Sequence, residues 1–173
     1  MDDYNTALDL VNKINEANED SVFSIAHYDS GWKIVGVNGG EFDTNNFNIV
    51  PGKGYLIKMK RDTTVTFSGK EIIYESDSDS APINFNPGWN LVGLYGTNTK
   101  SYTAESLIDG INGYSEAEIT ADNVTRWPVE LGRYQGLQKE EGEVYGFDFP
   151  LVFSEAYFVR VVDGGGIWQP EIE

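Results

Sequence analysis

With 173 residues, 40% of them hydrophobic, the chain can build one ordinary domain or two small ones around a true core. Its 28 acidic and 12 basic residues give a net charge of −16, which excludes nucleic acid and anionic membrane surfaces as partners, because their phosphates would be repelled, and suits a salty or extracellular setting. The absence of cysteine excludes disulfides, thiolate metal sites and thiol nucleophiles, and no apolar run reaches the about 18 residues that would suggest membrane insertion.

Residues 1–20 are acidic and amphipathic, unlike a secretory leader, so a cytosolic protein or a piece of a longer chain is expected. Ala7, Leu10, Val11 and Ile14 fall on one helical face, with Thr6 as N-cap and Asp9 three residues on to close a capping box. "SVFSIAHY" (21–28), "WKIVGV" (32–37), "GYLIKMK" (54–60) and "TVTFSG" (64–69) alternate as strands do. The acidic, serine-rich 76–83 reads as a linker, and "NPGWNLVGLY" (86–95) as a turn into an apolar strand. A second helix follows, with Ala104, Leu107, Ile108 and Ile111 on one face, Thr103 and Ser106 at its start, and Gly110 and Gly113 to shorten it. "NVTRWPV" (123–129), "RYQGLQ" (133–138) and "AYFVRVV" (156–162) are the remaining strands.

The order repeats. "TALDLVNKIN" (6–15) matches "TAESLIDGIN" (103–112), and "FNIVPGKGYLIKMK" (47–60) matches "FPLVFSEAYFVRVV" (149–162). Between them, "AHYDSGWKIVGV" (26–37) stands where "VTRWPVELGRYQGL" (124–137) stands, and "VTFSG" (65–69) parallels "IWQPE" (167–171). The expected fold is β-rich α+β: two tandem homologous repeats, 1–75 and 84–173, each a small antiparallel or barrel-like sheet with one helix. The first repeat lacks a counterpart of the Gly-Trp-Asn strand.

"PGWNLVGL" (87–94), the helix, the Trp-bearing strands and "PGKGYLIKM" (51–59) together resemble the GWNLVGL/PGKGYW-type tandem repeats of large secreted and cell-surface bacterial and archaeal proteins. In those a Gly-Trp-Asn-Leu strand opens the repeat and a Gly-Lys-Gly-Tyr strand closes it. The resemblance covers 84–171 fully and 4–69 partly, and departs from the pattern at "FSEAY" (153–157). It implies an extracellular, non-catalytic structural or adhesive module, whose partners are other repeats or domains of a larger surface protein.

Several residues carry possible chemistry. Gly52, Lys53 and Gly54 suggest a phosphate cradle, but a strand follows where a helix N-terminus is needed, and "FSEAY" discards both glycines. Asp29 opens an Asp-Ser-Gly of aspartic-protease type, whose partner carboxylate would be Glu130; ordinary turn chemistry explains it better. His27, the single histidine, reads as structural. Glu75, Asp77 and Asp79 alternate as weak Ca²⁺ ligands can, Ca²⁺ being the one cofactor suggested, although a solvated linker is the simpler account. Trp32, Trp127, Tyr134 and Trp168 are candidates for stacking on glycans. Yet the aromatics match in pairs (Tyr28 with Trp127, Trp32 with Tyr134, Tyr55 with Tyr157, Phe67 with Trp168), which favours core packing for all of them.

Overall fold

A computed structural model of the chain describes residues 5–38, 41–42, 45–67, 73, 82–96, 98–153 and 155–173. The protein is β-rich α+β. In the amino-terminal half, helix α1 (Ala7–Asn18) precedes β1 (Val22–Tyr28), β2 (Trp32–Asn38), β3 (Glu41–Phe42) and β4 (Leu56–Met59). In the carboxy-terminal half come β5 (Ile83–Phe85), β6 (Gly88–Val92), α2 (Ala104–Asn112), β7 (Ile119–Arg126), β8 (Gln135–Glu140), β9 (Glu143–Gly146), β10 (Tyr157–Gly164) and β11 (Gly166–Trp168). The sheets run β3-β2-β1-β4, β6-β10-β7-β8-β9 and β11-β5, and every pairing is antiparallel.

Both helices start as their sequences dictate. Thr6 caps α1 with the Asp9 amide and carboxylate completing the box; Thr103 and Ser106 do the same for α2. The apolar faces named above are buried, and each leucine, isoleucine and valine on them contributes about 1.5–3 kcal/mol through that burial. The helices are tied to the rest of their halves by matching bonds. The Ala7 amide donates to the Phe47 carbonyl (2.8 Å), and Ala104 to Phe149 (2.9 Å). Leu8 donates to the Asn46 side chain and Glu105 to that of Asp148. Asn15 Oδ1 accepts from the Val22 amide at 2.8 Å, and Asn112 Oδ1 from the Ala121 amide at 2.7 Å. Asn112 also donates to the Ala121 carbonyl. Its replacement by alanine strands a buried donor and acceptor together, and urea denaturation should show a loss of about 1–3 kcal/mol.

The two central strands share a register. Ser24, Ile25 and Ala26 face Lys58, Ile57 and Leu56; Asn123, Val124 and Thr125 face Arg160, Val159 and Phe158; a bulge interrupts each ladder just beyond Lys58 and Arg160. Tyr55 and Tyr157 each stack on a phenylalanine, Phe47 and Phe149, and each hydroxyl accepts an amide bond at 2.8 Å, from Val50 and Val152. Burial holds the Tyr157 phenol up at about 12, so it stays a neutral strut.

Several expectations need correction. No strand forms over 64–67: Val65 packs against the first core while Phe67 is exposed, so Phe67 and Trp168 differ in environment. Ile83, assigned to the linker, opens β5 and lies in the second core. Trp168 is not a surface ring. It is 1% exposed, and its Nε1 donates to the Gly110 carbonyl at 3.1 Å.

Strand β6 joins the halves. One edge pairs with β10, Leu91 facing Phe158. The other meets the "PGKGY" stretch: the Gly54 amide donates to the Leu91 carbonyl (2.9 Å) and the Gly93 amide to the Gly52 carbonyl (3.2 Å). A side chain at Gly54 would press within 3 Å of Leu91, the Val92 carbonyl and Ala156. The glycine is there for close approach between halves, and its amide is occupied rather than offered to an anion.

Candidate functional site

The exposed face of the five-stranded sheet, opposite α2, carries the site. Alternation along β10 sends Tyr157, Val159 and Val161 into the core and Phe158 and Arg160 outward. Pairing places Trp89 beside Arg160, and Thr125 and then Gly136 beside Phe158. Small residues next to Phe158 leave a depression in the floor.

Two walls rise over it. The β1–β2 hairpin, turned by Asp29, Ser30 and Gly31, pairs Tyr28 with Trp32, so both rings share a face; they meet edge-to-face at 5.4 Å. Opposite, Trp127 and Tyr134 flank the turn between β7 and β8 and meet edge-to-face at 4.8 Å. Phe158 is the hub, with Tyr28, Trp32, Trp89 and Tyr134 arranged edge-to-face around it at 6.0–6.4 Å. Tyr28, Trp32, Trp89, Thr125, Tyr134 and Phe158 line a cleft of about 350 Å³. That is the size of a small-ligand pocket.

Core packing was thus the wrong expectation for these rings. Trp32, Trp127 and Tyr134 remain 44–54% exposed, because they sit at strand ends on the face that neither helix covers. Three of the four candidate stacking residues come together here; Trp168 does not. Phe158 was missed as a site residue, although the alternation of β10 turns its side chain away from the core; Trp89, one more of the rings that could stack on a sugar, also faces the cleft.

Three cations around the cleft have acidic partners. The Lys33 ammonium lies 3.1 Å from Asp29, and this bond holds the Asp29 carboxyl below its ordinary range. Arg160 makes a two-pronged pair with Asp122 while stacking over Trp89 at 5.7 Å. Arg126 holds Gln135 and Glu155. Asp29, paired with an ammonium, lacks the shared-proton geometry of an acid-protease dyad, and Glu130 lies in an exposed 3-10 turn, Val129–Leu131.

His27 is buried below the hairpin. Its Nδ1 donates to the Gly54 carbonyl at 2.9 Å, and its ring rests against Phe47 and Tyr55. Burial lowers its pKa from the ordinary 6.5, so the unfolded chain takes up this proton first. The stabilisation is complete above pH 6.5 and fades as pH falls through the lower, folded-state value. Because there is one histidine, a proton NMR titration reads it directly; the expected midpoint lies below 6.5.

Among the described residues, no three His, Asp or Glu side chains converge as metal ligands, and no helix is long and apolar enough to cross a membrane. Glu75, Asp77 and Asp79 lie outside the described residues. No protein-family model, curated protein or solved structure matches the chain.

Proposed function

We propose that the chain is a non-catalytic adhesive module made of two tandem repeats, and that it holds a neutral glycan in the aromatic cleft. The repeat reading is supported by the recurring caps, helix-to-loop bonds, tyrosine–phenylalanine stacks, strand register and bulge. The single observation that carries the ligand is the convergence of half-exposed rings from both halves on Phe158. Such rings take the flat C–H face of a pyranose, while Thr125, Asn123 and Gln138, side by side across β7 and β8, offer hydrogen bonds to its hydroxyls. Lys33, Arg126 and Arg160 already have carboxylate partners, and the chain is strongly acidic, so an uncharged sugar fits better than a uronate or sulfated one. The secreted or cell-surface setting rests on the Gly-Trp-Asn and Gly-Lys-Gly-Tyr motifs.

Affinity electrophoresis through neutral polysaccharides, together with a glycan array, tests this reading. Retardation by at least one neutral glycan, lost in Trp32→Ala, is expected. No retention on any glycan overturns it, and retention only of quaternary ammonium ligands would replace the sugar with a cation cage.

A further inference from the structure

Strand β4 ends its sheet, and among the described residues no strand pairs with its outer edge. Its counterpart β10 is paired on both sides, by β7 and β6. The difference shows in burial. Val159, facing β6, is fully buried, whereas Ile57, at the same place in the register opposite Ile25, is 37% exposed. Tyr157 and Val161 are likewise buried, whereas Tyr55 and Met59 are only partly covered. Among the described residues its outer backbone groups are unmatched and its apolar face is half covered, which makes it a template for another strand.

We propose that the outer edge of β4 accepts an extended Gly-Trp-Asn-Leu-Val segment donated by a neighbouring copy of this repeat, in the register β6 adopts on β10. Valine would then face Tyr55, leucine Leu56, asparagine Ile57, tryptophan Lys58 and glycine Met59. The incoming indole meets Lys58 as Trp89 meets Arg160; the Lys58 ammonium already lies over an aromatic ring, Phe23, at 4.6 Å. The joint between the two halves, with β6 held by β10 and touching Gly52 and Gly54, is the pattern for the joint between neighbours. The proposal rests on the repeat reading and is independent of what the cleft binds.

The test uses the synthetic peptide Asn-Pro-Gly-Trp-Asn-Leu-Val-Gly-Leu-Tyr-Gly, the sequence of residues 86–96, added to the ¹⁵N-labelled full chain. Amide shifts are expected at Tyr55–Lys60 and at β1. In β6 the Leu91 carbonyl and the Gly93 amide point away from β10, so the Asn90 and Val92 backbone groups point toward it. Methylating the peptide nitrogens equivalent to Asn90 and Val92 should therefore weaken binding at least tenfold, whereas methylating that of Leu91 should not. Ile57→Asp should weaken it too. No shifts at Tyr55–Lys60 with millimolar peptide, or shifts confined to the cleft or to β10, overturn the proposal. Glycan retention measured on the same sample shows whether the edge alone, or the cleft reading also, has failed.

Discussion

Replacing Trp168 with alanine should lower the unfolding free energy by about 3–5 kcal/mol, read as a shift of the urea midpoint at unchanged slope. The ring is among the largest fully buried side chains, packed edge-to-face on Tyr102 at 5.7 Å and tilted against Phe85 at 6.2 Å. Its indole donates to the Gly110 carbonyl inside α2, which bolts the helix to β11 and through it to β5. Gly110 belongs to the same arrangement. A methyl there would lie 3.3 Å from Tyr102 and 3.7 Å from Trp168, so the helix gives up propensity to let both rings in. Trp168→Phe keeps much of the volume and loses the hydrogen bond, for an expected loss of about 1–3 kcal/mol. Set against a total of roughly 5–15 kcal/mol for a domain of this kind, the alanine variant is marginal at best. An unchanged midpoint would contradict the core assignment.

Replacing Trp32 and Tyr134 together by alanine should abolish glycan retention while leaving the chain folded. Each ring stands at a wall of the cleft against Phe158, and truncation of a central aromatic anchor costs about 2 kcal/mol, or roughly 30-fold in affinity. Because about half of each side chain is already in water, the accompanying loss of stability is about 1–2 kcal/mol, from the broken edge-to-face pairs with Tyr28 and Trp127. The two rings come from different halves, so either single variant should lose most of the retention. Equal retention by the double variant and the parent chain would remove the cleft from the function.

Helices and central strands were legible in the sequence because their signals are local. The Thr6–Asp9 and Thr103–Ser106 boxes and the spacing of four apolar residues suffice for each helix. Alternation in β10 separated Phe158 from Tyr157 and Val159. What alternation cannot tell is which face receives the helix, and so the exposed Trp32 and the buried Trp168 looked alike. Trp168 is fixed by β11, three residues long, pairing with an equally short β5 some eighty residues earlier. Neither is long enough for a periodic signal. The cleft was illegible for a related reason: the hairpin at Tyr28–Trp32 meets Phe158 only because Gly54 lets two backbones touch, a contact with no local signature.

The walls of the cleft stand on opposite sides of the Gly54–Leu91 joint. A ligand wedged between Trp32 and Tyr134 is therefore a staple across that joint. At a hundred times its dissociation constant it opposes separation of the halves by about 2.7 kcal/mol. The coupling runs both ways: tension that draws the halves apart should separate the two walls of the proposed binding site. On the proposed reading, the hold of such a module on its ligand should weaken as its own backbone is stretched.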